Sequence, residues 1–492
     1  MINYRLFIIS VAAMAGLLGL SAVAYFLPIT APWLFGLVIA ILTLLAMKNL
    51  TWGVFIALGE LFFGSLGHLL VVEVGGMALS LRMAIWVVIM VVWLVKMLHH
   101  RQWRGIRHQP WFGWLTAFVV VLIVAVVRGW WFDHSLANIF FDGNGWLYLS
   151  YVPVLLTTIG QQQRDAIITV LAAGISATAA LTVGLWLLFT FGPADIMAAV
   201  YSWIRDLRIG EITYAGGGLW RVFLPSQIYA ALGLIIFLYH WVERRQGLWL
   251  WVMASVTVYL SLSRSYWLAC LAVLGVMGLW WLVSKAVSRR MVVKAVGYFI
   301  VVIAAEVALV AALSGWGAAA TASRRLTDFS EPAGISRLNQ LGPLTGAISQ
   351  HPLIGSGFGT TVTYQSQDPR ILKNNPDGWY TTFTFEWGYL DMALKFGFVG
   401  LLVLLGLYWQ VGKALWRDTD SRWLVFGFLV IAVTHVFSPY LNHPLGLGWL
   451  AIMMAMAYPT ADDRAGNHHT SSPVFPPAEQ YRSSARRPAG GL

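Results

Sequence analysis

The chain has 492 residues, of which 59% are hydrophobic and 11% charged, with a formal net charge of +11. That charge share is about half of what coats a soluble domain, and a mean hydropathy of +0.70 makes lipid the natural solvent for most of the surface. The excess of Lys and Arg then reads as loop anchors at anionic lipid rather than a nucleic-acid footprint, and a single cysteine, Cys270, excludes an intrachain disulfide.

The first apolar run covers 6–26. It is longer than a signal-peptide core, and no clear cleavage site precedes Leu27-Pro28, so it reads as a retained span. Further runs lie near 33–47, 51–72, 80–97, 111–127, 145–160, 166–190, 222–242, 247–262, 266–284, 293–314, 388–409, 423–439 and 444–458. Each is long enough, or nearly so, to cross a hydrocarbon core of about 30 Å; those at 33–47, 145–160 and 444–458 are the shortest. The expected fold is an all-α integral membrane protein of about 14 transmembrane helices, one for each run. Residues 1–458 form its polytopic domain, and the Pro-, Ser- and Arg-rich tail 459–492 reads as disordered.

Basic residues predict the orientation. Lys96, Arg101, Arg104 and Arg107 share one short loop, and Arg244 and Arg245 another. Lys285, Arg289, Arg290 and Lys294 fill a third, and Lys413, Arg417 and Arg422 a fourth. All four fall on one side, which is then cytoplasmic, together with both termini. Short segments at 73–79, 128–144 and 191–221 emerge opposite, with one long segment, 315–387, between the eleventh and twelfth runs. Within it, Leu338, Leu341, Leu344 and Ile348 predict a helix over Ser336–Gln350, with Pro343 expected to kink it. A loop this long that keeps secondary structure is usually functional. No internal repeat of the kind found in most secondary transporters is visible.

Charge inside the runs needs a reason. Glu60 and His68 lie eight residues apart in the third run, nearly on one helical face; Arg82 opens the fourth and Glu306 sits in the eleventh. The expectation is that they pair with neighbouring spans and hold the bundle. No metal or cofactor is expected. His99-His100 and His468-His469 lack ligand partners at a recognised spacing. Gly216-Gly217-Gly218 lacks the ending of a phosphate-binding loop, and Gly355-Ser356-Gly357 the spacing of a nucleophile elbow. What remains on the outer side is a set of arginines: Arg221, Arg264 and Arg337, with Arg205, Arg208, Arg324, Arg325 and Arg370. Guanidinium binds pyrophosphate through paired, charge-assisted hydrogen bonds, so the set suits a lipid-linked pyrophosphate; lipid head groups and loop capping suit it as well.

Four segments carry a family resemblance. Trp220-Arg221-Val222-Phe223-Leu224-Pro225-Ser226 resembles an Arg-x-Phe-x-Pro-Asn-like segment of the O-antigen ligase and polymerase superfamily. Leu262-Ser263-Arg264-Ser265-Tyr266-Trp267-Leu268-Ala269 is similar to its Ser-Arg-Ser/Gly-x-Trp-Leu segment. Arg337, followed by Pro352-Leu353-Ile354-Gly355-Ser356-Gly357, resembles its Arg-helix and Pro-Leu-x-Gly-x-Gly turn. Glu386-Trp387-Gly388-Tyr389-Leu390 before Gly397 and Gly400 resembles its His-Asn-x-Tyr-Leu segment and Gly-x-x-Gly span. The resemblance spans about 200–405, in the family's order.

It implies a metal-independent glycosyltransferase of the bacterial cytoplasmic membrane with no nucleotide-sugar site. Its donor would be a glycan on undecaprenyl pyrophosphate, and its acceptor a hydroxyl of a lipid A core or a growing glycan. Arg221 and Arg337 match the family's two functional arginines and would hold the pyrophosphate; Arg264 matches a further family position. Glu386 stands where ligases carry His and would act as general base, given a raised pKa at a half-buried loop–membrane junction. His351 and Asp391 are second-choice bases, Tyr389 belongs to the same motif, and these three with Arg264 would bind substrate. The competing class is a polysaccharide-lipid flippase or other transporter, which would show repeated halves and charge within the bundle rather than in one outer loop.

Overall fold

The computed structural model describes residues 2–100, 107, 109–159, 163–318, 320–321 and 332–457. Arg101, Arg104, Arg324, Arg325, His468, His469 and the tail 459–492 lie outside the described residues, as do the side chains of His99, His100 and Arg370.

The described chain is mostly helix, because in lipid a helix satisfies every backbone N–H and C=O within one segment. In order the helices are α1 (Tyr4–Phe26), α2 (Ala31–Lys48), α3 (Leu50–Phe63), α4 (Leu81–His100), α5 (Phe112–Trp131), α6 (Leu136–Gly143), α7 (Tyr151–Thr158), α8 (Arg164–Phe191) and α9 (Ala194–Asp206). Then follow α10 (Gln227–Arg244), α11 (Leu248–Ser261), α12 (Arg264–Ser284), α13 (Arg289–Ser314), α14 (Pro332–Gln350), α15 (Pro369–Leu372), α16 (Gly388–Arg417), α17 (Arg422–His435) and α18 (Pro444–Met456). Eight of these segments are long and apolar enough to cross a membrane: α1, α2 with the turn before it, α4, α5, α8, α12, α13 and α16. Four shorter apolar helices, α3, α11, α17 and α18, accompany them.

Two expected spans are corrected. The run 51–72 does not stay helical: α3 stops at Phe63, and the chain turns through Ser65 and Gly67, both at positive φ. It then forms an antiparallel hairpin, β1 (Val71–Val74) with β2 (Met77–Ser80). His68 therefore sits in the turn and not on the helical face of Glu60. The run 145–160 becomes a 3-10 segment, Asn144–Ser150, followed by α7 of eight residues. At about 1.5 Å per residue, α7 is too short to span.

The core centres on α10 and α18. Every residue from Gln227 to Val242 is buried, and every residue from Leu445 to Met456. The Tyr229 hydroxyl donates to Leu445 O at 2.6 Å and ties the two together. Helices α1, α2 and α13 bury far less of themselves and present Ile8, Leu44, Val301 and similar side chains outward, as lipid-facing helices do.

Helix α16 breaks at Gly397, whose φ of 66° and ψ of −177° are not helical. The Gly-rich turn after α14 fills the break. Ser356 and Gly357 donate to Leu394 O and Lys395 O at 2.7 and 3.2 Å, and Phe398 and Val399 donate to Pro352 O and Leu353 O at 2.8 and 3.0 Å. Backbone groups freed by the break are thus satisfied by protein, the condition lipid imposes. A Cβ at Gly397 would meet Leu353 O at 2.2 Å, so glycine is required for both φ and space.

Candidate functional site

The long loop is a built structure. Strands β5 (Val362–Gln365) and β6 (Trp379–Thr382) pair antiparallel, and Thr363 Oγ1 meets Thr381 Oγ1 at 2.7 Å. Helix α14 lies on this hairpin: Asn339 Nδ2 donates to Gln365 O at 2.9 Å, and Ser336 Oγ accepts from Gln367 N at 2.8 Å. Leu344, Ile348, Val362, Phe385, Ala393 and Leu394 form a small core of their own. That core seats the loop on the first turns of α16. Helix α14 begins at Pro332, so Arg337 lies in its second turn rather than opening it, and the helix continues through Pro343.

This packing brings Arg337 to Glu386, 49 residues away in sequence. Arg337 Nε and Glu386 Oε2 form an ion pair, with side chains 41% and 47% exposed. The Trp387 indole donates to Arg337 O at 2.8 Å and fixes α14 against the start of α16. Glu386 is therefore exposed rather than half-buried, and its partner is a guanidinium. Chemically, the pair sets a guanidinium and a carboxylate side by side, and a guanidinium is the side chain that matches a phosphate or pyrophosphate oxygen pair.

Arg221 and Arg264 frame a second cluster at the turn between α11 and α12. Arg221 lies on β4 (Leu219–Phe223), which pairs with β3 (Glu211–Gly216) across the triple glycine. All three glycines have positive φ, and a Cβ at Gly218 would strike Ser314 O at 2.2 Å, so the motif is a tight hairpin turn. Arg221 Nε donates to Ser261 O at 3.0 Å, and its guanidinium lies 4.8 Å from the Phe223 ring centroid. Arg264 is the first residue of α12, half-buried, between Ser263 and Ser265, whose hydroxyls meet at 3.1 Å.

The remaining chosen residues face inward. His351 stacks on Phe132 at 5.0 Å. The Tyr389 hydroxyl donates to Ala432 O at 3.0 Å, and its ring meets His435 edge-on at 4.7 Å. Asp391 is buried, pairs with Lys395 at 2.8 Å and accepts from Asn442 Nδ2 at 3.0 Å.

Asp391 thereby joins a buried triad that sequence reading missed. Lys395 Nζ also binds Asp142 Oδ1 at 2.6 Å, and Asp142 Oδ2 accepts from Gly359 N at 2.7 Å. One cation bridges two carboxylates from α6 and α16 directly beneath the loop. Burial pushes the Asp142 carboxyl up from its ordinary value, against the pull of Lys395. The visible signal was Lys395 itself, a lysine inside an apolar run. Arg128 was also missed; its Nε donates to Gly355 O at 2.8 Å and supports the turn that fills the helix break.

Of the charges expected to tie spans together, Glu60, Arg82 and Glu306 bond to a neighbouring helix, whereas His68 meets Leu66 O within its own turn. Arg82 donates to both Glu60 oxygens at 2.9 and 3.0 Å, and Ser255 Oγ meets Glu306 Oε2 at 3.1 Å. Among the described residues, no group of three or more His, Cys, Asp or Glu converges on a metal-holding position.

Comparison with known proteins matches residues 248–405 to the family model described as O-antigen ligase. No curated protein and no solved structure matches. The matched stretch runs from α11 through the long loop into α16 and contains Arg264, Arg337, His351, Glu386, Tyr389 and Asp391; Arg221 precedes it. Over residues 248–405 the chain is thus similar to the O-antigen ligase family, and eight of its described helical segments are long and apolar enough to cross a membrane.

Proposed function

We propose that the protein transfers or polymerises glycan from an undecaprenyl-pyrophosphate carrier to an acceptor hydroxyl on the outer face of the bacterial cytoplasmic membrane. The observation that carries this reading is the Arg337–Glu386 pair, built by the loop core within the family-matched domain. In this reading about 14 helical segments traverse or dip into the bilayer, both termini are cytoplasmic, and the loop faces the acceptor compartment.

The chemistry follows from the residue types. Arg337 exchanges its carboxylate partner for the carrier pyrophosphate, where a guanidinium forms two parallel hydrogen bonds. Arg221 adds a second positive charge as the diphosphate leaves. Glu386, released from the pair, takes the proton of the acceptor hydroxyl as that oxygen attacks the sugar carbon and the pyrophosphate departs. The ion pair thus keeps the site closed until an anion competes for the arginine. No metal enters these steps. Arg264 and the hydroxyls of Ser263 and Ser265 suit sugar or phosphate oxygens, and His351, Tyr389 and Asp391 position the loop and α16.

The test uses purified protein, lipid-linked oligosaccharide and either a glycan or a lipid A core acceptor, without nucleotide sugar or metal. A product ladder identifies a polymerase; a single transfer onto lipid A core identifies a ligase. Carrier translocation without transfer would instead establish the transporter class.

A further inference from the structure

The bundle end opposite Arg337 and Glu386 carries a feature that glycan transfer does not use. A cleft of about 430 Å³ opens between the ends of α10, α12, α13 and α16–α17. Glu243, Arg245, Trp280, Ser288, Met291 and Arg422 contribute to its wall. This volume is in the range that holds a small polar ligand or head group.

Its charges are unevenly satisfied. The carboxylates around it are occupied: Glu243 accepts from the Trp281 indole at 3.3 Å, Asp418 pairs with Arg164 at 2.8 Å, and Asp420 pairs with Arg244 at 2.5 Å. The two arginines that line it have no carboxylate partner among the described residues. Arg422 is held between Trp280 and Trp416, 5.6 and 5.8 Å from their ring centroids, and spends only Nε, on Trp416 O at 2.9 Å. Among the described residues its two terminal nitrogens make no hydrogen bond. Arg245, in the left-handed conformation at the end of α10, has as its side-chain hydrogen-bond partner among the described residues only the Met291 sulfur, a weak acceptor, at 2.7 Å. Two guanidinium groups, one clamped by indoles, share one polar cleft at a membrane boundary. Moreover, α13 and α17 both begin there, at Arg289 and Arg422, and direct the positive ends of their dipoles to the same end.

We infer that this cleft binds a phosphate-bearing anion, either an anionic phospholipid head group or phosphate from the aqueous phase. Guanidinium forks match phosphate oxygens, and basic recesses between spanning helices suit such groups. Bound there, the anion bridges the α10–α11 turn to the start of α17, on the face away from the chemistry.

The test compares native mass spectra and thermal midpoints of the full-length protein with phosphatidylglycerol, phosphatidylcholine or inorganic phosphate, for wild type and three variants. The expected result is retention of phosphatidylglycerol over phosphatidylcholine by about tenfold, reduced to about threefold in R245Q and abolished in R245Q/R422Q. R244Q, whose arginine pairs with Asp420 outside the cleft lining, should keep the wild-type preference. If inorganic phosphate displaces phosphatidylglycerol at millimolar levels, the aqueous anion is the ligand; if it does not, the lipid is. Equal retention of both lipids, or equal loss in R244Q and R245Q, overturns the site. R245Q alone decides the matter should the double variant fail to fold, because Arg245 contributes only the contact to Met291.

Discussion

The two ends of the helical bundle treat charge in opposite ways. At the end carrying the matched domain's loop, charge is buried and paired within the protein: Glu60 with Arg82, and Asp142 and Asp391 with Lys395. Above these pairs lies one exposed ion pair, Arg337 with Glu386. At the other end, the pair Arg164–Asp418 is part-buried and Arg244–Asp420 is at the surface, and arginines outnumber their carboxylates around an open cleft. Buried pairs act as fixed framework because breaking one strands a charge, whereas exposed pairs exchange partners cheaply. The framework end can therefore hold a reactive pair in place while leaving that pair free to open.

The sharpest way to break this comparison is to remove the cation of the buried triad. Lys395→Met leaves two carboxylates facing each other beneath the loop and should cost about 3–5 kcal/mol, read as a large drop in thermal midpoint in detergent. A fall of only a degree or two would show that the triad is not framework. Next comes the exposed pair. Glu386→Gln should lower glycan transfer by about 10²–10⁴-fold while the melting temperature stays put, since general-base loss costs rate and an exposed pair contributes about 0–1 kcal/mol. Glu386→His, which restores a proton acceptor of the ligase type, should recover part of that rate. Full activity in Glu386→Gln would remove Glu386 from the chemistry.

A third prediction uses pH. His443 caps α18, its Nδ1 accepting from Leu445 N at 3.2 Å, and lies in the loop before that helix. Burial holds its imidazole down at about 3, helped by the Arg82 and His68 charges. Its unfolded value is near 6.5, so between about 3 and 6.5 the unfolded chain binds the extra proton. Stability from His443 is thus fully present above about pH 6.5 and is lost as the pH falls toward 3. His443→Asn, which can still cap the helix, should flatten the slope of thermal midpoint against pH between 7 and 5. An unchanged slope would place the acid sensitivity elsewhere. The smallest effect is expected at the surface end, where Arg244→Gln should change stability by less than about 1 kcal/mol.

Much of this division was legible in the sequence, and for physical reasons. Apolar run length marked the helices, because the bilayer sets length directly. It failed at 51–72 and 145–160, where composition stays apolar but Gly64, Gly67 and the 3-10 segment at Asn144 end the helix. Hydropathy averages over such local turns. Arg337 and Glu386 both stand out in the sequence, yet no spacing rule connects residues 49 apart; only the core of Leu344, Ile348 and Phe385 does so. The exposed state of Glu386 was not readable, since it depends on how the loop seats. Lys395 was in view as a charge in an apolar run, but its partner Asp142 is 253 residues away and no local pattern points to it. The break at Gly397 was visible as a glycine pair and its filling by the turn at 352–359 was not, because backbone-to-backbone bonds leave little trace in side-chain chemistry.

The most direct test of the central claim is glycan transfer from lipid-linked oligosaccharide by Arg337→Ala, measured beside its thermal midpoint. The account predicts a rate at least about 100-fold below wild type, the usual cost of losing one charge-stabilising donor, with the midpoint within two or three degrees. Transfer at the wild-type rate in a folded Arg337→Ala protein would contradict it.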